Sequence, residues 1–366
     1  MKVNFTDLKS EFEFFEDQLI SSFKSVGKKG EYVFGSELNK FEKNVKNLLN
    51  VKYVLGVGNW TEGMIMVCKA LNLKKNDEII TVSNSFIATC GAIAYAGCKP
   101  VLVDVDRSMN IDPDLIEKKI TKKTKVIMPV HLSGIPVNID KIKKISKKNK
   151  LVFIEDAAHA FGGKYKNKYL GTFGDIGIFS LHPRKNFHVL GDGGLIVTNN
   201  KNIYERLKLL RNHGLKNRNL SKVWGTNSRL DNLQASFGNI FLKSIKKINK
   251  KFLYIANYYT RNLNKYVKTP EYDQKISKPT FHQYIIRTSK RDSLKKFLES
   301  KGIQTNIHYP IPIHNQEAYK KVFGKIALKK TEKYSKQILS LPIHSFLTQK
   351  QLVYVCKCIK NFFRKN

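Results

Sequence analysis

The sequence predicts an α/β protein with a large, mainly parallel-sheet domain over residues 1–245 and a smaller α+β domain over residues 246–366. Between residues 51 and 200, short apolar runs of strand length alternate with segments of helical periodicity, an order that is typical of parallel sheets flanked by helices. From about residue 250 the segments become shorter and more mixed, which indicates a second unit. A chain of 366 residues is also long enough for two domains in one compact subunit.

The composition is typical of a globular protein. Hydrophobic residues make up 42% of the chain, and no apolar stretch is long enough and free enough of charge to cross a bilayer. The first twelve residues lack the apolar core of a signal peptide. The five cysteines are scattered, without the spacing of a metal site or a disulfide framework. We therefore expect a cytoplasmic protein with reduced thiols, no bound metal and no membrane partner.

The formal net charge is +37, from 66 Lys and Arg against 29 Asp and Glu residues. Such an excess fits a nucleic-acid surface, an acidic membrane leaflet or an anionic substrate. The lysines are spread along the whole chain, however, without a dense basic tail or a nucleic-acid motif. The composition therefore favours solvated, lysine-rich helix faces and no nucleic-acid partner, with attraction of an anionic substrate as a secondary effect.

The amino-terminal elements lead to a candidate phosphate site. Residues 8–26 have apolar residues at helical spacing and predict a helix, and a turn on Gly30 and Gly35 leads into a second one. Residues 51–73 then predict a strand, a glycine turn and a helix. The glycines do not have the dinucleotide spacing, but the start of that helix can bind an anion through its free N–H groups. Residues 78–106 continue as strand, helix and strand.

The stretch from residue 151 to residue 199 carries the chemistry. A predicted strand over residues 151–154 is followed by Asp156, and two further apolar runs enclose a rigid turn that holds Lys185. Ligands of open α/β sheets bind at the carboxyl ends of the strands, and burial makes a lysine amine nucleophilic. Pyridoxal 5'-phosphate (PLP) chemistry needs a lysine amine that forms an imine with the cofactor and an aspartate that pairs with its pyridine nitrogen. Either residue alone is more often structural.

Three segments contain or follow Asp156 and Lys185: residues 155–160 (EDAAHA), 179–186 (FSLHPRKN) and 191–194 (GDGG). In order and spacing they resemble the DegT-type nucleotide-sugar aminotransferases, which are fold-type I PLP enzymes, and the resemblance runs nearly from end to end. It implies amino transfer from an amino acid, with glutamate as the expected donor, to a keto-deoxysugar carried on a nucleotide. It also implies that Lys185 holds PLP covalently and acts as general acid and base.

The resemblance implies a role for several other side chains. Asp156 would keep the pyridine nitrogen protonated, Thr61 and Ser180 would hold the phosphate, and Phe86 and His159 would cover the ring. The full set of implied cofactor contacts is Trp60, Thr61, Phe86, Asp156, His159, Ser180, Lys185 and Asn227.

The loop before the long helix that begins near Asp231 contains Asn227 and Arg229. In the family this loop crosses a dimer interface, and its asparagine touches the phosphate of the neighbour's PLP. The resemblance therefore implies a homodimer with shared active sites, and Arg229 becomes a candidate for substrate binding. Taken alone, the segment is merely a well-capped helix start.

Trp60 departs from the family pattern, which has a glycine at this position. Because a large side chain at a helix start cannot point into a phosphate, we expect the indole to line the entrance for the sugar nucleotide, where it can stack on a base or a sugar. The alternative is a partly buried packing residue at the rim of the large domain.

Residues 306–314 (NIHYPIPIH) predict a strand that ends in a proline-locked turn. We expect this turn to present His308, Tyr309 and His314 to a polyol. The segment resembles the form found in family members that act on 3-keto sugars, which favours a 3-keto sugar nucleotide. Alternatively, the prolines only set the turn and the histidines cap carbonyl groups. Farther on, Thr348 is predicted to cap the last helix.

The sequence also leaves other functions open. A 4-keto-6-deoxy sugar nucleotide is the alternative substrate. A sugar dehydratase of the same fold carries histidine in place of the PLP-binding lysine, so Lys185 argues against that activity. Two further alternatives are not enzymes: a PLP- or sugar-sensing regulator without turnover, and a protein that binds nucleic acid through its charge. The chain has no recognisable DNA-binding segment.

Overall fold

The computed structural model describes residues 1–365. Its α-helices are α1 (Leu8–Lys29), α2 (Ser36–Leu49), α3 (Trp60–Ala70), α4 (Ala88–Tyr95), α5 (Ile139–Lys148), α6 (Lys201–Arg211), α7 (Asn232–Leu263), α8 (Arg291–Ser300), α9 (Glu317–Phe323), α10 (Lys329–Ser335) and α11 (Gln349–Lys365). Short 3-10 turns occur at Pro113–Leu115, Glu117–Lys119, Leu132–Gly134 and Ile313–Asn315. Within the described range, no helix combines the length and the apolar character needed to cross a membrane.

The β-strands are β1 (Tyr53–Val57), β2 (Glu78–Val82), β3 (Lys99–Val103), β4 (Thr124–Ile127), β5 (Val152–Asp156), β6 (Lys164–Tyr165), β7 (Lys168–Tyr169), β8 (Ile176–Ser180), β9 (Gly194–Thr198), β10 (Leu215–Asn217), β11 (Leu220–Ser221), β12 (Ser277–Lys278), β13 (Tyr284–Arg287) and β14 (Ile338–Leu341). Seven of them form the central sheet in the order β1-β9-β8-β5-β4-β2-β3. In the second unit, β13 pairs with β14.

The central sheet is mainly parallel, which confirms the predicted α/β class. β8, β5, β4, β2 and β3 are parallel neighbours, whereas β9 runs antiparallel to both β8 and β1. In the register, Asp156 of β5 lies beside Ile178 of β8, and Ser180 of β8 lies beside Gly194 of β9. The polar residues that end β5 and β8 therefore lie close together, at the edge where such sheets bind ligands.

Helix α7 connects two hydrophobic cores. Its first half packs Phe241 and Ile245 into the core that α1, α2 and one face of the sheet build. Its second half packs Phe252 and Ile255 into a separate core with β13, β14, α8 and α11. The predicted division after residue 245 falls between these two halves of one continuous helix, and it stays a prediction.

Several predicted elements are confirmed, and one is wrong. The first helix extends from Leu8 to Lys29 and ends at Gly30, whose φ of 65° favours glycine. Thr348 caps α11, because its Oγ1 accepts a hydrogen bond from the Gln351 N–H at 3.2 Å. The strand predicted before the proline turn does not form. Only an isolated bridge links Asn306 to Ser340, and the prolines that follow lack the N–H groups that a ladder needs.

Candidate active site

A cavity of about 1110 Å³ opens at the carboxyl ends of β5 and β8. Its walls come from the starts of α3 and α4, the turn between β8 and β9, and residues 5–8 at the amino terminus. The second unit contributes residues 282–283 and 306–309. Residues on both sides of the predicted domain division therefore build the cavity, and it is larger than most pockets for a single small ligand.

Asp156 ends β5 and is only 3% exposed. Its Oδ1 accepts a hydrogen bond from the Ala158 N–H at 3.1 Å, and its Oδ2 accepts one from the Thr89 hydroxyl at 3.3 Å. Burial raises the pKa of this carboxyl to about 6, although these hydrogen bonds and the charge of Lys185 oppose the rise. The fixed carboxylate is suited to pair with a protonated ring nitrogen.

Glu155 faces the other side of β5, because successive side chains of a strand alternate. Its carboxylate accepts hydrogen bonds from the N–H groups of Gly171 and Phe173 at 2.9 and 2.6 Å, and the His131 ring lies 2.9 Å from it. Glu155 thus ties the loop before β8 to β5, which fixes the two strands that carry the site.

Lys185 lies in the turn between β8 and β9, and its side chain lines the cavity. The turn is closed by the Leu181 N–H, which donates to the Gly193 carbonyl at 2.8 Å. Burial lowers the pKa of the Lys185 amine to about 8, and the opposing effect of Asp156 does not prevent this. A substantial fraction of the amine is therefore neutral and nucleophilic near pH 8.

Thr61 and Ser180 bring hydroxyl groups to one part of the cavity wall. Thr61 lies in the first turn of α3, which Asn59 caps by accepting a hydrogen bond from the Glu62 N–H at 2.9 Å. The first N–H groups of a helix have no intrahelical partner and lie at the positive end of its dipole. A Cβ added at Gly194 would come within 2.8 Å of the Asn59 carbonyl carbon, so glycine lets α3 begin directly beside β9. This arrangement is suited to a phosphate.

Phe86 and His159 also line the cavity, and each contacts a ring from the second unit. The Phe86 ring lies 5.9 Å from that of Tyr309, and the His159 ring lies 4.5 Å from that of His282. His159 Nδ1 accepts a hydrogen bond from the Ser133 N–H at 3.2 Å, so the neutral ring carries its hydrogen on Nε2. Burial lowers the pKa of His159 well below its usual value, which keeps this ring uncharged.

His308 and Tyr309 form part of the opposite wall, as the sequence predicted for the proline-rich segment. His308 Nδ1 lies 2.8 Å from the Ser340 hydroxyl, and burial lowers the pKa of its ring to about 4. Burial raises the pKa of the Tyr309 hydroxyl above its usual value. Both side chains are therefore neutral at pH 7 and can exchange hydrogen bonds with sugar hydroxyls.

The structure corrects the expectation for His314. This side chain is 0% exposed and does not line the cavity. Its Nδ1 lies 2.6 Å from the Ser83 hydroxyl, and its Nε2 lies 3.1 Å from the Glu332 carboxylate. Both ring nitrogens are thus used to join the turn to the end of β2 and to α10. His314 is a buried structural residue and does not face a polyol.

For Trp60 the structure supports the packing alternative, and the contact with the sugar nucleotide stays a prediction. The indole forms part of the cavity wall but is only 6% exposed and packs in the core with Val57, Met64 and Ile93. Because its apolar rings contact this core on the side of α3 and α4, Trp60 is a packing residue.

Asn227 and Arg229 lie outside the cavity of their own chain. Asn227 is exposed and forms a bridge with Asn212. The Arg229 guanidinium donates to Asn212 Oδ1 at 3.1 Å and lies 5.8 Å from the Phe34 ring. Their predicted contacts with a neighbouring subunit's cofactor and substrate stay predictions.

The structure adds functional candidates that the sequence did not reveal. His282 and Gln283 line the cavity from the segment before β13, almost a hundred residues after Lys185. Asn186 fixes the lysine turn, because its amide donates to the Phe161 carbonyl at 2.9 Å and to Asn249 Oδ1 at 3.0 Å. A polar residue beside the lysine was a visible signal for Asn186, whereas nothing local marks His282.

These side chains fit PLP. A buried carboxylate is available for the ring nitrogen, an amine of lowered pKa for the aldehyde, and two hydroxyls with a helix start for the phosphate. In contrast, no cluster of three or more His, Cys, Asp and Glu side chains is placed to hold a metal ion in residues 1–365.

Comparisons with known proteins agree with this chemistry. Residues 15–360 match the model of the DegT/DnrJ/EryC1/StrS aminotransferase family. The chain is 36% identical, over 100% of its length and 99% of the relative, to a protein of Geobacillus stearothermophilus named pleiotropic regulatory protein. It is 35% identical, over 98% of its length and 99% of the relative, to dTDP-3-amino-3,6-dideoxy-alpha-D-galactopyranose transaminase of Aneurinibacillus thermoaerophilus.

Two solved structures have the same fold over almost the entire chain. DesV of S. venezuelae, solved in complex with a ketimine intermediate, has a TM-score of 0.95 and 32% identity, covering 99% of this chain and 98% of that one. NtdA of Bacillus subtilis, solved with the bound cofactor PMP, has a TM-score of 0.93 and 30% identity, covering 99% of this chain and 85% of that one. The chain therefore belongs to the DegT/DnrJ/EryC1/StrS aminotransferase family and is a PLP-dependent aminotransferase of fold-type I.

Proposed function

We propose that the enzyme transfers an amino group from an amino-acid donor, glutamate, to carbon 3 of a keto-deoxysugar that is carried on a nucleotide. The observation that carries this proposal is the placement of two kinds of groups around one cavity. Lys185 and Asp156 lie on the side of the sheet, and the neutral His308 and Tyr309 lie on the side of the second unit. The cavity volume of about 1110 Å³ leaves room for a cofactor and a sugar together.

Each residue of the large unit has a defined task in this proposal. PLP, when bound, supplies the aldehyde that accepts the amino group of the donor. Its ring is the electron sink that stabilises negative charge on the α-carbon of the donor. Asp156 pairs with its ring nitrogen, and Thr61, Ser180 and the start of α3 hold its phosphate. Lys185 Nζ would take the proton from the α-carbon of the donor as a general base and would then deliver it to the cofactor carbon as a general acid. A pKa of about 8 for Lys185 keeps both of its forms populated near neutral pH.

Amination at carbon 3 is supported by a relative and by the second-unit wall. The Aneurinibacillus relative is named for a 3-amino sugar product, and the segment with His308 and Tyr309 resembles the form found with 3-keto sugars. The test is a panel of 3-keto and 4-keto sugar nucleotides with ¹⁵N-labelled glutamate, read by product mass. A labelled amino sugar from a 3-keto substrate is expected. Efficient amination of a 4-keto-6-deoxy sugar nucleotide, with no activity on its 3-keto isomer, would contradict the choice of carbon.

A regulator without turnover is the second candidate, because the Geobacillus relative is named a regulatory protein. The same panel separates the two functions. A PLP-loaded protein that binds sugar nucleotides but forms no amino sugar with any of several amino-acid donors would favour the regulator. A sugar dehydratase is disfavoured because Lys185 stands where those enzymes carry histidine.

The proposal includes a homodimer with shared active sites. Asn227 is exposed and lies away from the cavity of its own chain, and the nearby Trp224 is 94% exposed. Aromatic side chains are enriched in protein–protein interfaces, and this exposed tryptophan fits such a contact. We also propose that the enzyme is cytoplasmic. All five cysteines are free and buried, which fits a reducing compartment.

A further inference from the structure

We propose that Gln283 fixes the Tyr309 hydroxyl as a hydrogen-bond donor towards the substrate, so that the second-unit wall selects a keto oxygen. Gln283 acts through Tyr309 in this arrangement and is therefore a positioning residue. The inference rests on the proposed function in one respect, because that function makes the substrate a keto sugar. The orientation of the two side chains follows from the hydrogen bonds around them.

One end of the Gln283 amide is held by Ser133. Gln283 is 5% exposed and lines the active-site cavity from the segment before β13. The Ser133 hydroxyl donates to Gln283 Oε1 at 3.3 Å. The oxygen of an amide only accepts hydrogen bonds, and its nitrogen only donates them. Because the oxygen is turned towards Ser133, the two N–H groups of the amide are directed to the opposite side.

The turn that carries Ser133 is fixed against the segment that carries Gln283. The Ser133 N–H donates to His159 Nδ1 at 3.2 Å, and the Thr280 hydroxyl donates to the His159 carbonyl at 2.6 Å. Gly134 lies so close to Thr280 that an added Cβ would clash with the Thr280 hydroxyl. These contacts hold Ser133 and Gln283 on two sides of His159, so the Gln283 amide keeps one orientation.

The Tyr309 hydroxyl receives a hydrogen bond from the Gln283 amide. Burial and the charge of Asp156 raise the pKa of this hydroxyl, and the hydrogen bond from Gln283 opposes the rise. A hydrogen bond has this effect on a phenol when it is donated to the oxygen. Within the part of the chain that the structure describes, no acceptor takes the hydrogen of Tyr309. Since Tyr309 lines the cavity, that hydrogen is left for a ligand.

The wall around Tyr309 lies beside the reacting amine. His308 precedes Tyr309 in the same segment, and burial together with the charge of Lys185 lowers the pKa of the His308 ring to about 4. The Lys185 amine is thus close to this segment. On the other side, the Phe86 ring lies 5.9 Å from the Tyr309 ring. A sugar that is aminated beside Lys185 therefore has its keto oxygen close to the Tyr309 hydroxyl.

A donor at this position distinguishes the substrate from the product. A keto oxygen only accepts hydrogen bonds, whereas the ammonium group of an amino sugar only donates them. A Tyr309 hydroxyl that is held as a donor therefore favours the keto sugar. The affinity for the keto sugar thus depends on the orientation of an amide that acts through the phenol.

Calorimetric titration of pairs that cannot react tests the inference. The keto sugar nucleotides of the product panel are added to the PLP-loaded enzyme without a donor, and their amino counterparts are added to the PMP-loaded enzyme. Gln283→Glu is the main variant, because a carboxylate accepts from both Ser133 and Tyr309 and so turns the phenol hydrogen away from the ligand. The Kd of the keto sugar nucleotide should rise about tenfold. The Kd of its amino counterpart should not rise.

Three further variants separate positioning from other effects. Ser133→Ala frees the Gln283 amide to rotate and should raise the same Kd by a smaller factor. Tyr309→Phe should raise it about tenfold, and adding Gln283→Glu to Tyr309→Phe should give no further rise, because the two residues act as one unit. Gln316→Glu makes the same charge change outside the cavity and should bind as the wild type does.

The inference is overturned if the Kd of the keto sugar nucleotide is unchanged in Gln283→Glu, or if the Kd of the amino counterpart rises by the same factor. A further rise in the double variant, or failure of every keto sugar nucleotide to bind the wild type, would also overturn it. If Gln283→Glu does not fold, an unchanged Kd in Ser133→Ala overturns it in the same way.

The product-mass panel separates this inference from the proposed function. Amination of a keto sugar nucleotide, with an unchanged Kd in Gln283→Glu, rejects the positioning role alone. A raised Kd in that variant, without amination of any sugar nucleotide by the wild type, rejects the proposed function alone.

Discussion

The Asp156 carboxylate at the end of β5 and the Lys185 amine in the turn that follows the neighbouring strand β8 line the same cavity, and each favours the charged form of the other. Burial acts in the opposite direction on both groups. It raises the pKa of Asp156 to about 6 and lowers the pKa of Lys185 to about 8. Between these two values the carboxylate is ionised while part of the amine is already neutral. One pair of residues therefore supplies both an anion for a ring nitrogen and a reactive amine.

Because its pKa is lowered, Lys185 should react selectively at moderate pH. In the PLP-free protein, trace labelling with acetic anhydride should modify Lys185 with a midpoint near pH 8, because only the neutral amine reacts. Unperturbed lysines have a pKa of about 10.4, so peptides with exposed lysines serve as the internal reference. In Asp156→Asn the midpoint should move to lower pH, because the interaction that raises the pKa of Lys185 is lost. A Lys185 midpoint that matches the exposed lysines would contradict the burial argument.

Loss of the Asp156 carboxylate should abolish useful turnover. Asp156→Ala removes the partner of the ring nitrogen, so we expect weaker PLP binding and a fall in kcat of at least about 10²–10³-fold. Thr89→Val is the milder comparison, because it leaves the carboxylate in place and removes the hydroxyl that donates to Asp156 at 3.3 Å and lies 2.8 Å from Ser85 Oγ. PLP content by absorbance and single-turnover kinetics give the two readouts. Full activity of Asp156→Ala would mean that this carboxylate is only structural.

Trp60 should contribute to stability more than to substrate binding. Trp60→Gly removes a side chain that is 6% exposed from the core on the side of α3, and we expect a loss of roughly 3–5 kcal/mol in the free energy of unfolding. Trp60→Phe keeps most of the apolar surface and should lose less. Denaturant unfolding of both variants measures this. An unchanged free energy of unfolding in Trp60→Gly, with a raised KM for the sugar nucleotide, would restore the entrance role.

Local signals explain what the sequence could predict. Asp156 lies at the end of a short, mostly apolar strand, and Lys185 lies in a turn marked by proline and glycine, so local patterns predict both at the carboxyl edge of the sheet. The helix cap at Thr348 is equally local. Each of these predictions depends on residues within a few positions of one another.

Long-range contacts explain what it could not predict. His314 hydrogen-bonds Ser83, which is 231 positions away, and no pattern around His314 indicates that its ring nitrogens are used in this way. Trp60 differs from the family pattern, but its burial depends on Ile93 and other residues outside its own helix. The wall that residues 5–8 add to the active-site cavity depends on Val3 pairing with Ile303, so it forms only once the amino-terminal segment has met residues about 300 positions away.

Subunit mixing tests the shared active site. If Asn227 acts in the neighbour's site, Lys185→Ala and Asn227→Ala subunits together form one intact site in each heterodimer. Random reassortment of equal amounts should then restore about a quarter of the wild-type sites. Each variant alone is the control, and differently tagged subunits show that heterodimers form. Heterodimers without recovered activity would place Asn227 outside the shared site.

The central claim is that Lys185 is the residue that holds PLP, and one measurement tests it most directly. The holoenzyme is reduced with borohydride, digested and mapped by mass spectrometry, and Lys185→Ala is treated in the same way. We predict a single pyridoxyl label on Lys185 in the wild type and none in the variant, whose yellow absorbance should also be lost. A label on any other lysine in the wild type, or a labelled lysine that persists in Lys185→Ala, would contradict the assignment.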